Sequence, residues 1–563
     1  MMGEAHTLRA GPLEAAFTDG ELRHVRVGGV EVLQRIYVAV RDHNWGTTPG
    51  RVENISLHVG SGEFRIGFDS IHQRGGVDFR WRGTIIGTQS GGISFSMDGK
   101  AYSTFLRNRI GFCVHHPLRE CAGKPCVVET ADGAHERAQF PEFVSPHQPF
   151  LNVCAITHEV APGLRAEVRF HGDVFETEDH RNWTDTNFKT YSTPLRLPLP
   201  VEVPAGTEIS QRIEITLQGA QGTPEPSRHR AVRLRVTNAC GARLPRIGLG
   251  MASDGRPLSE RELQALRRLK LNHLRVDLPS RGDWRAMLEL AAVEASAIGS
   301  RLEVALTLPG GTGALRNWAP AVDRWLVYQE NEKATGAAAA CEVRAAVGPE
   351  AFIAVGTDAY FAELNRNRPE GDGWDAACFS VNPQVHAFDD ESVMANAAGQ
   401  FDAVRSALRF LAGRPVVVSP VTLRPRFNPD ATGSVEPPEP DPRQKQPFCA
   451  AWTLASLKAL ARAGASSVTY FETRGPGGVL NGDELYPVFR VLEAAGEYAG
   501  ASVIACECSD ESRVAALAVE SGRRHRILIA NLTGEPCEVA IEGHSETLNL
   551  GPYAVTQHEA VEV

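Results

Sequence analysis

The sequence predicts a three-part chain: an N-terminal antiparallel β-sandwich over 1–225, a central (β/α)8 barrel over 226–500 and a small C-terminal β-sandwich over 501–563. Three observations carry this. The chain has 563 residues, too many for one domain of roughly 100 to 250 residues. Its outer parts alternate apolar and polar residues with period two, the mark of half-buried strands. Its middle part instead alternates short apolar runs with amphipathic helical stretches, the pattern of repeated βα units.

The elements follow in order. From about Glu21 to Leu217 come ELRHVRV, VEVLQRIYVAV, RVENISLHV, GEFRIGFDS and VDFRWRGTIIG, β-branched and aromatic-rich runs separated by Gly-centred turns. TPLRLPLPVEVP carries prolines suited to edge strands and a domain exit. A bridging segment, GTPEPSRHRAVRLRV, then leads to RIGLGMAS and to LSERELQALRRLKL, where Ser259 and Glu262 form a capping box that opens a helix. NHLRVDLP, RLEVALTL, DRWLVYQE, AFIAVGTD, AACFSVNP, RPVVVSP and SSVTYFET complete eight apolar strands. Val435 to Pro447, rich in Pro and acids, reads as a long loop after the seventh, on the face where such loops wall the site. SVIACEC, VAALAVES, HRILIANLTG, CEVAIEG and YAVTQHEAV return to strands, forming a packing or oligomerisation module.

Composition excludes several classes of function. A hydrophobic fraction of 42% and a charged fraction of 22% describe a soluble globular protein. A net charge of −10 and the absence of a dense Lys/Arg block argue against a nucleic-acid partner, whose phosphates need a cationic face. No basic leader precedes an apolar run and no eighteen-residue apolar stretch occurs, so the expectation is a cytoplasmic protein with no membrane partner. Eleven cysteines are scattered. Only Cys121/Cys126 and Cys506/Cys508 lie close together, the latter as strand neighbours on one face, and no ligand spacing points to structural zinc.

Candidate site residues fall in two sets. Polar groups at or just after barrel strand ends are Asp277, Glu330, Glu332, Asp358, Asn382, His386, Asp389 and Glu472. Glu472 stands out because FETRGPGG places a lone acid directly after an apolar strand. Two such carboxylates facing across a barrel mouth would suit glycoside hydrolysis, although VYQENEKAT has its acids displaced in a run that looks partly helical. NPQVHAFDD offers an amide, a His and two acids, a workable proton shuttle; its plainer reading is a turn in which Asp389 and Asp390 cap a helix. The sandwich supplies GFCVHHPL, SPHQPF and FETEDHRNWTDTNFKTY, which together hold acid, base, cationic and aromatic groups of the kind that line a carbohydrate pocket. For any single residue there, ordinary turn chemistry is the competing explanation.

GFCVHHPL, SPHQPF and EDHRNWTDTNFKTY, with the barrel strings FSVNPQVHAFDD and YFETRG and the order of domains, resemble the D-apionate lactonase family over nearly the whole chain. The resemblance implies hydrolysis of D-apionolactone, a branched-chain sugar lactone, to D-apionate in bacterial apiose breakdown. His116, Glu178, Asp179, Arg181, Asn182, Trp183, Asp185 and Lys189 match the family pattern. His180 stands where the pattern has Gln, and His115 where it has an apolar residue, so neither is expected to be essential. By architecture alone the N-terminal domain also resembles the supersandwich of sugar mutarotases.

Lactone opening needs an activated water, a partner for the oxyanion and a proton for the leaving oxygen. The sequence casts Glu178 or Asp179 as base, Arg181 or Lys189 as oxyanion partner and His116 as acid, with Glu472 as the barrel's own catalytic candidate. His147, Asn182, Trp183, Asp185, Asn382, His386 and Asp389 complete the substrate-binding set, Trp183 packing on the lactone ring. No GxSxG elbow supports a serine-esterase route. No cofactor is expected, and no tight ligand spacing supports a divalent metal. The expected partner is a small sugar lactone, and a homo-oligomer fits the C-terminal module. The rival functions are a barrel glycoside hydrolase with paired carboxylates and a non-catalytic carbohydrate-binding protein.

Overall fold

The structure is a computed structural model that describes residues 5–219, 231–282, 284–309, 312–427, 429, 439–522, 524–544 and 547–560. Two compact units are present; residues 5–180 and 186–219 belong to the first, while Arg181–Asp185 and the described residues from 231 onward belong to the second.

In the first unit seventeen strands join in one hydrogen-bonded network. Period-two patterning drives its core: Phe17, Phe68, Phe79, Phe95 and Phe112 are all buried in one apolar cluster. Three neighbouring strands carry His116, Lys189, Glu178 and Asp179. Phe105–Pro117 pairs antiparallel with Val30–Asp42 on one side and with Asn187–Tyr191 on the other. Asn187–Tyr191 in turn pairs with Phe175–Asp179. Along Phe105–Pro117, Ile110, Phe112 and Val114 face the main core, whereas Cys113 belongs to a separate small cluster with Tyr37, Ala39 and Tyr191. Both faces of this strand are thus buried.

The second unit contains a closed barrel of eight strands: Arg246–Gly250, His273–Leu278, Arg301–Leu308, Val322–Gln329, Ile353–Gly356, Ala376–Val381, Val416–Val421 and Ser467–Glu472. They coincide with the eight apolar runs of the sequence. The capping box is formed, Ser259 N–H donating to Glu262 at 2.7 Å and Glu262 N–H to Ser259 Oγ at 3.4 Å. VYQENEKAT is strand and then turn, with no helical part, and Glu330 and Glu332 are exposed beyond the strand end.

The barrel interior is unusually polar for a fold whose centre is ordinarily layered with Val, Ile and Leu. Fully buried Glu303 accepts hydrogen bonds from Ser419 Oγ at 2.5 Å and Thr469 Oγ1 at 2.6 Å. His273 Nε2 meets Thr469 Oγ1 at 2.8 Å, and Arg275 Nη1 donates to Ser419 Oγ at 2.9 Å. Glu303 through Oε1 and Arg275 through Nη1 are thus each hydrogen-bonded within the barrel.

A seven-stranded sheet follows. It includes Ala231–Arg243, which precedes the barrel in sequence yet pairs with Ser502–Cys508 and, in parallel, with Cys537–Ile541. This strand falls inside the span expected of the barrel; its alternation alone does not say which sheet takes it. The sheet packs on the barrel helix Pro447–Ala463, with Phe448 edge-on to Tyr553 at 5.1 Å and Lys458 Nζ donating to Glu511 at 2.9 Å. None of the eleven cysteines is disulfide-bonded, and burial raises the Cys506 and Cys508 thiols to about 11. Among the described residues no helix is long and apolar enough to cross a membrane.

Candidate functional site

The dense string from Phe175 to Tyr191 divides between the two units. In the first unit Glu178 lies opposite Lys189 in the hairpin register, and Lys189 lies opposite His115 on the next strand. Glu178 and Lys189 form a buried ion pair, and His180 Nε2 is 3.2 Å from Glu178 Oε1. Burial alone would raise the Glu178 carboxyl, but Lys189, His180 and Arg109 outweigh it and hold the group well below the usual carboxylate range. A carboxylate so stabilised is a weak proton acceptor, which argues against Glu178 as the base.

His116 sits on the opposite side of its strand, in the main core, with no exposed surface. Its ring packs 5.7 Å from Phe140 and 6.3 Å from His158, and its Nε2 meets Thr190 Oγ1 at 2.9 Å. Burial, reinforced by His158, pushes it down to about 3, so at ordinary pH it is the neutral imidazole and not the imidazolium that a general acid requires. Asp179 is also buried and accepts the Ser145 N–H at 3.0 Å, fixing the SPHQPF loop, whose His147 is exposed. Of the first-unit residues read from the sequence, Glu178 and Lys189 come together, with His180 beside them.

Within the second unit, Arg181–Asp185 makes a series of polar and ring contacts. Asn365 Nδ2 donates to Asn182 Oδ1 at 3.0 Å, and Arg181 Nη1 lies 3.4 Å from Asp402 Oδ1. The Arg366 guanidinium stands 5.1 Å from the Trp183 ring centroid, and Trp183 packs edge-on to His386 at 5.2 Å. Asp185 Oδ2 is 2.8 Å from His386 Nδ1, while Asn396 Nδ2 donates to Asp185 Oδ1 at 3.2 Å and to the Pro383 carbonyl at 3.0 Å. The segment is thus seated on the helices Phe361–Arg366 and Asp390–Phe410 and on the loop after barrel strand six.

The seat is tight. Thr184 adopts φ +67, a conformation that β-branched residues rarely take. A Cβ at Gly399, on the second of those helices, would lie 2.1 Å from the Thr184 carbonyl oxygen. Gly399→Ala is expected to displace the segment and to lower stability by about 1–3 kcal/mol despite the better helix propensity of Ala. A urea midpoint equal to or above that of the parent protein would refute the contact.

At the C-terminal mouth of the barrel, Arg275 Nη2 donates to Asp277 at 2.6 Å and to Asp358 at 2.8 Å, and Arg426 reaches Asp358 at 2.8 Å and Asp277 at 3.1 Å. Burial would raise the Asp277 carboxyl, but the two arginines hold it below the ordinary range. Held in this way, Asp277 is not set up as the proton-donating acid that a glycoside hydrolase needs. A small pocket beside this quartet is lined by Asp358, Tyr360, Ser380, Asn382, Thr422 and Arg426. Glu472 is half-buried at the end of strand eight, accepts from Ser253 N–H at 3.1 Å and Oγ at 3.2 Å, and is raised by burial. Asn382 is buried and accepts the Gln384 N–H at 3.2 Å. Asp389 caps the helix Asp390–Phe410 by accepting the Ser392 N–H at 3.1 Å, in agreement with the plainer reading of that turn.

Part of the long loop after strand seven lies outside the described residues. Its described end is tied to the mouth: Asp441 accepts from Gln384 Nε2 at 2.6 Å and from Arg443 Nη2 at 2.8 Å. Sequence reasoning missed Asp441, Gln384, Asn396 and the two arginines of the quartet. Arg275 had a signal, since it precedes Asp277 by two residues and so shares its face of the strand. Gln384 lies inside the string NPQVHAFDD, whereas Asp441, Asn396 and Arg426 come from separate loops and helices.

Three family models match the chain: D-apionate lactonase, N-terminal domain, over residues 2–220; its TIM barrel domain over 247–500; and its C-terminal immunoglobulin-like domain over 511–558. A protein of Brucella anthropi described as a D-apionate lactonase is 30% identical, the match covering 97% of this chain and 96% of that one. Among solved structures, a GH30 endoxylanase from Clostridium papyrosolvens matches 59% of this chain and 100% of its own at 11% identity and a TM-score of 0.42. The family 30 xylanase Xyn30A of Clostridium acetobutylicum matches 58% of this chain and 99% of its own at 13% identity and a TM-score of 0.40.

Proposed function

Since the chain belongs to the D-apionate lactonase family, we propose that it hydrolyses a sugar-acid lactone, D-apionolactone to D-apionate, with His386 as the proton-transfer residue. One observation carries the assignment: the 2.8 Å contact between Asp185 Oδ2 and His386 Nδ1. It joins the most family-specific string of the sequence to the loop at the C-terminal end of barrel strand six, the end where barrel chemistry resides.

A carboxylate at Nδ1 fixes the imidazole so that Nε2 is the proton acceptor, and it stabilises the imidazolium once formed. In the proposed reaction His386 Nε2 takes a proton from water as the oxygen attacks the lactone carbonyl. The tetrahedral intermediate collapses with cleavage of the bond to the ring oxygen, and the imidazolium returns the proton to that oxygen. One residue therefore serves as base and acid, and neither His116 nor Glu178 is needed. Trp183 and Asn396 hold the pair in place, Trp183 against the imidazole and Asn396 on the second oxygen of Asp185. Asn382 and Arg426, which line the pocket at the barrel mouth, are the donors assigned to the developing oxyanion.

The test is a panel of aldonolactones followed by acid release, with D-apionolactone expected to be opened fastest. Asp185→Asn should slow that reaction by about 100-fold or more by losing both orientation and charge. Binding of sugar acids without any turnover would leave a carbohydrate-binding protein, and release of an aryl glycoside's phenol would return the glycoside hydrolase reading.

A further inference from the structure

The first unit holds a buried arginine that lacks an acceptor. Arg109 is 3% exposed, and its Nε is shielded from solvent with no hydrogen-bond partner. Its guanidinium stands 3.9 Å from the Tyr191 ring centroid and 5.5 Å from that of Trp45. Among the described residues no hydrogen bond or ion pair from this guanidinium is found. The neighbouring acids are engaged elsewhere: Glu178 pairs with Lys189, and Glu176 accepts from the Tyr191 hydroxyl at 2.6 Å and from the Leu195 N–H at 2.6 Å.

A guanidinium presents five donors and does not lose its charge. The Nε–H, shielded without an acceptor, is left at a cost that aromatic stacking only partly offsets. The site is therefore arranged for an acceptor supplied from outside. We infer that Arg109, with the Tyr191 ring and Lys189 beside it, binds a carboxylate monoanion of the hydroxy-acid class that lactone opening releases. Only the choice of hydroxy acid rests on the lactonase reading. The carboxylate class follows from the fork of the guanidinium, which matches two oxygens in a plane, and from charge. Charge disfavours a phosphate dianion, which would meet nearby Glu176 and Glu178 with more repulsion than a monoanion does.

Calorimetric titration of the full chain with sodium D-gluconate, sodium acetate, inorganic phosphate and neutral D-glucitol tests this. Gluconate and acetate are expected to bind, phosphate more weakly and glucitol not at all. Arg109→Gln should weaken gluconate binding by at least tenfold and abolish its thermal stabilisation of the protein. Removing an unpaired buried charge should leave the unliganded variant as stable as the parent or more so. Should that variant fail to fold, Arg109→Lys takes its place, keeping the charge but losing the fork, with the same tenfold loss expected. Equal gluconate binding in the substituted protein, no carboxylate binding by the parent, tighter phosphate than gluconate, or glucitol binding as well as gluconate each overturn the inference. Lactone opening is measured separately through Asp185→Asn, so loss of this site leaves the proposed reaction standing and the converse also holds.

Discussion

Replacing His386 with glutamine is expected to lower kcat for lactone opening by about 100- to 10,000-fold, the range that general acid–base catalysis contributes, with little change in KM. The glutamine amide keeps a hydrogen-bonding atom within reach of Asp185 but cannot accept and return a proton. The side chain is largely buried, at 12% exposed, yet its neighbours Trp183 and Asn396 remain, so the fold should survive. The double variant with Asp185→Asn should be hardly slower than His386→Gln alone, because two residues that act as one unit are strongly non-additive. Multiplying losses, or a His386→Gln protein with full turnover, would sink the assignment.

The barrel was legible because each of its strands is a short apolar run between turn and helix signals, and all eight were read in place. The C-terminal sheet was legible in its strands but not in its membership, since Ala231–Arg243 reads as a strand without naming its partners. In the site the instructive case is the pair His115 and His116. Residue type does not separate them. The alternation Ile110, Phe112, Val114 does, because it continues onto His116 and places that residue in the core. His115 is set instead toward Lys189 and Glu178, although it departs from the family pattern. Asp185 and His386 are 201 residues apart, and no local pattern connects them; the sequence supplied each as a candidate but not their contact. The string from Phe175 to Tyr191 looked like one ligand-facing wall. Its halves do different things, a buried ion pair in one and a seat on the barrel helices in the other, and a linear reading does not show such a division.

Glu178→Gln is expected to cost stability rather than chemistry. The substitution keeps the shape of the side chain but leaves the Lys189 ammonium buried beside Arg109 without its counter-charge, and breaking a buried pair from one side typically costs about 3–5 kcal/mol. Burial, with Arg109 adding to it, already lowers the Lys189 ammonium below the ordinary lysine range, whereas Glu178 opposes the shift. Loss of Glu178 lets Lys189 shed its proton more readily, which caps the penalty. The pH dependence then has a definite sign. In the parent protein the folded-state Glu178 carboxyl lies below its unfolded value of about 4.3. Its contribution is therefore fully present above that value and is lost as pH falls through the folded value, because the unfolded chain then binds the extra proton. The variant should lack this acid-side loss. It should also gain more stability than the parent as pH rises between the folded value of Lys189, lowered further without Glu178, and the unfolded value of about 10.4. Urea midpoints measured from pH 3 to pH 9 would display both trends. Turnover per folded molecule should stay within about threefold of the parent, against the 100-fold or greater loss expected of His386→Gln. The reverse outcome, full stability with turnover abolished, would move the reacting centre to the ion pair of the first unit and remove it from the barrel.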